Sequence, residues 1–166
     1  IIHYFTIIPM SPQSPYYRDI LGFIYIEEGC PTNILGCFPE PFSRINGVDI
    51  FSFKELTIKT PSKSGEKIIA SGYSKDRNIV YFWYEGSVKK VTEADPTTFT
   101  AVSLGFGKDK NNVYIQDAKI PGADPATFKI INRMIGSGSA FSKDKNAVYF
   151  NIQKNLDADP ATFTIL

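Results

Sequence analysis

A single histidine, His3, is all the imidazole in this chain of 166 residues. It lies near one end with no motif around it, so a bland surface or core role is expected in place of acid–base work. Cysteine is almost as scarce: Cys30 and Cys37, in "EEGCPTNILGCFPEP", are the only two. With His3 they fall short of a zinc ligand set, so no metal is expected. Seven residues apart, they either close a small disulfide loop, as suits an exported protein, or stay two buried thiols. Both readings remain open.

Long hydrophobic runs are missing too. No stretch approaches the roughly 18 apolar residues that a membrane span needs. The opening "IIHYFTII" is too short to span and lacks the charged start and small-residue cleavage site of an export signal. Either a signal has been removed or there never was one; the segment itself reads as a core strand. Charge of one sign is not in excess, with 18 basic against 17 acidic residues and a net +1. Without a basic stripe to follow a phosphate backbone, nucleic acid is not expected as a partner. Glu27 and Glu28 are adjacent and so belong to opposite faces of a strand, which suits solvated carboxylates better than a catalytic pair.

What the chain has in quantity is aromatic residues, 13 Phe and 9 Tyr, together with 12 Gly and 11 Pro. That mixture points to short strands and turns. It is also repetitive. "YSKDRNIVYF" from Tyr73, "FGKDKNNVYI" from Phe106 and "FSKDKNAVYF" from Phe141 share one pattern, followed by "EADPTTF", "GADPATF" and "DADPATF". The aspartates Asp76, Asp109 and Asp144 give periods of 33 and 35 residues, the range of stacked or radial supersecondary units. "INGVDIFSFKEL" from Ile45 matches "IPGADPATFKII" from Ile120 in Ile, Gly, Asp, Phe and Lys, and "YYRDILGFIY" from Tyr16 echoes the first motif. Residues 1–66 therefore read as a divergent N-terminal repeat with an insertion holding the cysteines, and 67–166 as three regular repeats, all within one domain.

The first motif predicts a β-hairpin with a three-residue Asp-Lys-Asn loop and Asn111 in the left-handed region. Asp76/Asn78, Asp109/Asn111 and Asp144/Asn146 are then structural, the short Asp side chain bonding nearby backbone. That loop length sets Lys108 opposite Asn112, Phe106 opposite Tyr114, Tyr73 opposite Tyr81 and Phe141 opposite Tyr149. The second motif predicts a one-turn helix. Asp124 caps it, accepting from the N–H of Ala126 or Thr127, with Pro125 at the first position and Phe128 turned to the core. Asp95/Pro96 and Asp159/Pro160 repeat the device, and Phe163–Leu166 is expected as a strand paired with one already present. Asp-x-Asn can hint at calcium, but the further oxygen ligands, internal Gly and distal Glu of a calcium loop are missing. The glycine-rich stretch from Gly136 to Phe141 lacks the Lys-Ser/Thr of a phosphate loop and reads as a bend in a long strand.

Tyr81, Tyr114 and Tyr149 recur at one position and alternate with Val80/Phe82, Val113/Ile115 and Val148/Phe150. If the apolar row faces the core, the tyrosines form an aromatic strip on the other face together with Tyr73, Phe106 and Phe141, a surface suited to a protein partner. Trp83 joins Tyr81, Tyr114 and Tyr149 as a candidate partner contact. The competing reading covers both faces and leaves the tyrosines as packing.

The K-D-[RK]-N-x-V-Y element followed by A-D-P-x-T-F resembles the bacterial DKNYY family of repeat proteins, specifically over 72–166 and faintly over 16–56. The chain departs from the family's name at Phe82, Ile115 and Phe150, where a second Tyr would stand. The resemblance implies a bacterial protein, often exported or envelope-associated, in a family with no settled activity, and it supplies no catalytic residues. The expectation is an all-β, mainly antiparallel domain of tandem β-hairpin repeats with one-turn helices at the A-D-P-x-T-F sites, an open array in preference to a ring. In function it is expected to be a non-catalytic protein-binding scaffold without cofactors, in one form an immunity or inhibitor protein against a secreted bacterial toxin, acting through the segment around Gly29–Pro41. The rivals are a structural cell-envelope repeat module and a carbohydrate-acting hydrolase. The periplasm or cell envelope is the expected location, or the cytoplasm if no signal was removed.

Overall fold

The computed structural model describes residues 8–10, 16–18, 23–27, 42–56, 71–84, 86–103, 105–133, 139–155 and 157–165. They form sixteen short strands. β1 (Ile8–Pro9), β2 (Tyr16–Arg18), β3 (Ile24–Glu27) and β4 (Phe42–Arg44) make the first sheet, and β5 (Lys54–Leu56), β6 (Ser71–Lys75), β7 (Val80–Tyr84) and β8 (Ser87–Lys90) the second. β9 (Thr100–Ser103), β10 (Phe106–Lys108), β11 (Val113–Ile115) and β12 (Ala118–Ile120) make the third. β13 (Lys129–Arg133), β14 (Ala140–Lys143), β15 (Val148–Phe150) and β16 (Gln153–Asn155) make the fourth. Each sheet runs in chain order and every pairing is antiparallel. The chain is all-β, and among the described residues no helix is long and apolar enough to cross a membrane.

The sheets stack through three aromatic-rich clusters. Tyr16, Ile24, Phe53 and Tyr81 join the first to the second. Tyr73, Val80, Phe82, Val91, Phe99 and Tyr114 join the second to the third. Phe106, Val113, Ile115 and Ile120, with Ala147 and Tyr149, join the third to the fourth. Strand alternation explains this division. Within β6–β7, Tyr73, Val80 and Phe82 face the following sheet, while Ser74 and Tyr81 face the preceding one.

The hairpins sit where the repeated motif places them, but one residue out of the expected register. Lys108 pairs with Val113, Gly107 with Tyr114 and Phe106 with Ile115; Tyr73 pairs with Phe82, and Phe141 with Phe150. The loop is four residues long because Asp109 N donates to Asn112 O (3.0 Å) while its carboxylate takes the N–H groups that a tighter turn would give to a carbonyl. Asn111 accordingly stays out of the left-handed region, as do Asn78 and Asn146. That conformation appears instead at Gln116 and Asn151, which open the next turn of their units (φ 54° and 55°).

The one-turn helices are a second correction. At each A-D-P-x-T-F site the chain makes a single hydrogen-bonded turn, with Phe99 N donating to Asp95 O (2.9 Å) and Phe128 N to Asp124 O (3.0 Å). At the first two sites it goes no further because the Phe is already entering the next strand, β9 or β13. At the last site Phe163, Thr164 and Ile165 form no strand pairing among the described residues, against the expectation of a strand there. Of the opening apolar segment only Ile8 is described, and it is exposed in place of being core.

Candidate functional site

The repeated polar residues converge on the seams between sheets. Asp109 is buried at the tip of the β10–β11 hairpin. Its Oδ1 accepts from the N–H of Asn111 (2.8 Å) and Asn112 (2.7 Å), and its Oδ2 accepts from the Tyr114 hydroxyl (2.9 Å) and from Asp95 N (3.0 Å). The first two bonds are a local Asx turn, which is why Asp followed by a basic residue and Asn forms this loop. The third works because Tyr114, five residues on, lies on the strand just across the turn. The fourth leaves the hairpin and grips the A-D-P turn that precedes the sheet.

All four bonds recur. Asp76 takes Asn78 N and Ile79 N (both 2.7 Å), the Tyr81 hydroxyl and Asp49 N (both 2.9 Å). Asp144 takes Asn146 N (2.7 Å), Ala147 N (2.9 Å), the Tyr149 hydroxyl (3.0 Å) and Asp124 N (2.6 Å). Asp49 thus fills the place of Asp95 and Asp124, in the turn of the divergent segment.

The lysine before each aspartate reaches the other way, to the turn that follows its sheet. Lys75 Nζ donates to Pro96 O (2.6 Å) and Phe99 O (2.9 Å), Lys108 to Pro125 O (2.8 Å) and Lys143 to Phe163 O (3.1 Å). In the first sheet Arg18 Nη2 does the same with Ile50 O (3.1 Å). Adjacent Lys and Asp therefore stitch two consecutive turns to one hairpin. A third residue adds an exposed link: Arg77, Lys110 and Lys145 pair with Asp49, Asp95 and Asp124. The backbone N–H of each also donates to the hydroxyl of Ser52, Thr98 or Thr127. Such exposed ion pairs contribute about 0–1 kcal/mol each.

The electrostatics follow. Burial pushes the Asp109 carboxyl upward, but the N–H groups of Asp95, Asn111 and Asn112 and the Tyr114 hydroxyl outweigh it and hold the group below its ordinary value. Burial, the hydrogen bond to Asp144 and its charge push Tyr149 up to about 12, and Tyr81 and Tyr114 are raised for the same reasons. Burial, with Lys54 nearby, draws Lys75 down.

Tyr81, Tyr114 and Tyr149 are almost completely buried, as are Tyr73 and Phe106. The tyrosine row is covered in every regular unit and the opposite row in the second and third sheets, with Phe150 of the fourth left exposed, so the outer aromatic strip is not built. Trp83 is half-buried against the first seam, its indole N–H without a partner among the described residues. In the turns, Asp95, Asp124 and Asp159 each accept from the N–H two residues on and the Thr hydroxyl three on, beside Pro96, Pro125 and Pro160. For Asp124 the N–H is that of Ala126, one of the two donors expected. The carboxylate oxygens of Asp76, Asp109 and Asp144 point at N–H and O–H donors, a lining that repels a cation. His3, Glu28 and the whole of Gly29–Pro41, with Cys30 and Cys37, lie outside the described residues, as do Gly136–Gly138.

One residue escaped the motif reading. Phe51 is 89% exposed, at the turn position held elsewhere by Thr97, Ala126 and Ala161. The alignment of "GVDIFSF" with "GADPATF" carries the signal: an aromatic ring where the repeat keeps a small residue at a solvent-facing corner.

Compared with known proteins, residues 73–166, more than half of the chain, match the family model described as DKNYY family. No curated protein and no solved structure matches the chain.

Proposed function

We propose that this chain, which belongs to the DKNYY family, is a non-catalytic protein-binding scaffold that presents Phe51 to its partner. The observation that carries the reading is Phe51 itself, an aromatic side chain 89% exposed on a turn whose backbone is pinned from both sides. Asp49 N donates to Asp76, and Arg18 holds Ile50 O. A rigid aromatic anchor is the kind of residue that dominates protein interfaces. The absence of a catalytic role is supported by where the repeated polar groups go: Asp76, Asp109 and Asp144 each hold four protein donors and have no capacity left for a substrate. In its specific form the scaffold neutralises a secreted bacterial toxin, acting in the periplasm or cell envelope.

The test immobilises the chain, exposes it to the secreted proteins of its own cells and measures the affinity of what is retained. Phe51→Ala is expected to weaken that complex at least about thirtyfold, the scale of an interface hot spot of about 2 kcal/mol. A retained partner that binds the variant equally well sinks the reading. A partner that binds through Phe51 but is harmless to cells removes the toxin form and leaves the scaffold.

A further inference from the structure

The last strand of each sheet carries a basic residue at one register. Arg44 pairs with Tyr25, Lys90 with Tyr81, Lys119 with Tyr114 and Lys154 with Tyr149. Each stands five residues before the aspartate of the turn that follows, Asp49, Asp95, Asp124 or Asp159. A lysine anywhere on an edge strand discourages pairing with another chain, so that need does not fix the position. The residue before it is held to no type: Ser43, Lys89, Ala118 and Gln153. The basic residues line up from sheet to sheet. Lys89 of β8 pairs with Asp117 at the start of β12, and Lys119 of β12 reaches back to Glu93 beyond β8. Because the same bonds build every seam, β4 and β16 continue the row. Arg44, Lys90 and Lys154 are exposed, and none of them has a carboxylate partner among the described residues. Arg44 lies over the ring of Phe23. Lys119 is the paired member. Its partner Glu93 stands at positive φ where the other turns have Gly47 and Gly122, so the backbone carries strain while it sets a carboxylate on the column.

We propose that the column of Arg44, Lys90, Lys119 and Lys154 binds an extended acidic segment of a partner protein, and that Glu93 occupies one of that segment's places. Facing sheets pack about 10 Å apart, and an extended chain covers that distance in about three residues. The complement is therefore Asp or Glu at every third position with neutral residues between. Spaced carboxylates fit better than a continuous polyanion, because Glu93 and Asp117 are set among the cations and repel one. The column lies on the last strands of the sheets and not on the turn of Phe51, and it stands whether or not Phe51 is an anchor.

The probe is a fluorescent peptide of about ten residues, with glutamate at every third position and glycine or serine between. Titrated into the full chain at about 0.01 M ionic strength, where surface charges are little screened, it is expected to saturate one to one. Lys90→Gln combined with Lys154→Gln should weaken binding about tenfold, the scale of two exposed pairs. Glu93→Gln, which frees Lys119 for the peptide, should tighten it about threefold. Opposite effects from exposed lysines and an exposed glutamate cannot both come from damage to the fold. No saturable binding up to about 1 mM peptide, the weak end of specific association, overturns the proposal, as does a Glu93→Gln variant that binds no tighter. Equal affinity for a peptide with its glutamates in one block, or for inorganic polyphosphate, assigns the column to anions at large and overturns the spaced acidic segment.

Discussion

Asp109 gathers four donors from two different parts of the fold on a single buried carboxylate. Asp109→Ala is therefore expected to destabilise the chain by about 3 kcal/mol or more, since each buried donor left unpaired costs about 1–3 kcal/mol. Tyr114→Phe removes only the hydroxyl that Asp109 Oδ2 and Glu93 O share, and should cost about 1 kcal/mol. Denaturant midpoints of the two variants check the ratio, and equal losses would mean that the Asx turn and the docking bond carry little. Glu93 is a residue out of place in the opposite sense. It has φ 69° where the corresponding turns have Gly47 (79°) and Gly122 (74°). Glu93→Gly should raise the melting midpoint, because relief of a left-handed non-glycine residue is worth about 1–2 kcal/mol. The exposed pair with Lys119 that it gives up is worth about 0–1 kcal/mol. The Asx half of the aspartate's role was legible, because Asp, a basic residue and Asn in a row carry their own turn chemistry. The bond to Asp95 N was not. Sequence spacing describes distances within a hairpin and is blind to what a hairpin docks against.

At the scale of the element, the one-residue slip in register comes from the same carboxylate. By replacing a backbone acceptor it lengthens the loop from three residues to four, and a shift of one reverses the faces of the paired strand relative to its partner. Gly107, Ser74 and Ser142 consequently stand opposite the three tyrosines, and their sizes matter. A Cβ on Gly107 would lie 2.2 Å from the ring of Phe99, which Tyr73 and Tyr114 confine on either side at 5.0 and 5.7 Å. Gly107→Ala should cost about 1–3 kcal/mol as overpacking. Ser142 occupies the same position in the fourth sheet with its hydroxyl buried and without a partner among the described residues, so Ser142→Ala should be stabilising by about 1 kcal/mol. Opposite signs from two small-residue changes at equivalent sites are the result to look for in thermal melts; matching signs would refute the packing account. The helical expectation at A-D-P-x-T-F failed for a related reason. The cap chemistry of Asp124 is present, but Phe128 is claimed by the strand that follows it, and tertiary pairing ends the turn.

For the whole molecule, the seams tie stability to pH. Asp95, Asp109 and Asp124 are all held below the ordinary aspartate value, Asp95 mainly by Thr98 and Thr97, and Asp124 mainly by Lys145 and Ala126. A group whose folded pKa is depressed contributes stability that is complete above its unfolded value of about 3.9 and is lost as pH falls through the folded one. Unfolding free energy should therefore be flat from neutrality to about pH 5 and decline below about pH 4. Asp109→Asn should shallow that decline. An unchanged acid profile in the variant would place the proton uptake elsewhere. The periodic organisation was legible from Asp76, Asp109 and Asp144 alone, and so was the divergent match of Asp49 with Asp124. The assignment of the tyrosines was not, because alternation along one strand cannot show whether a second sheet lies over the other face.

The backward reach of each aspartate and the forward reach of its lysine have a further consequence for how such a chain can change over generations. Each unit meets its neighbours through the same donors and acceptors, so duplicating or deleting one full period swaps every contact for its own likeness. Copy number is then free to drift. The spacing itself is loose, since the bond from turn to carboxylate closes over 27, 14 and 20 residues in the three seams, and it is the matched donors and acceptors, more than a fixed repeat length, that inheritance has to preserve.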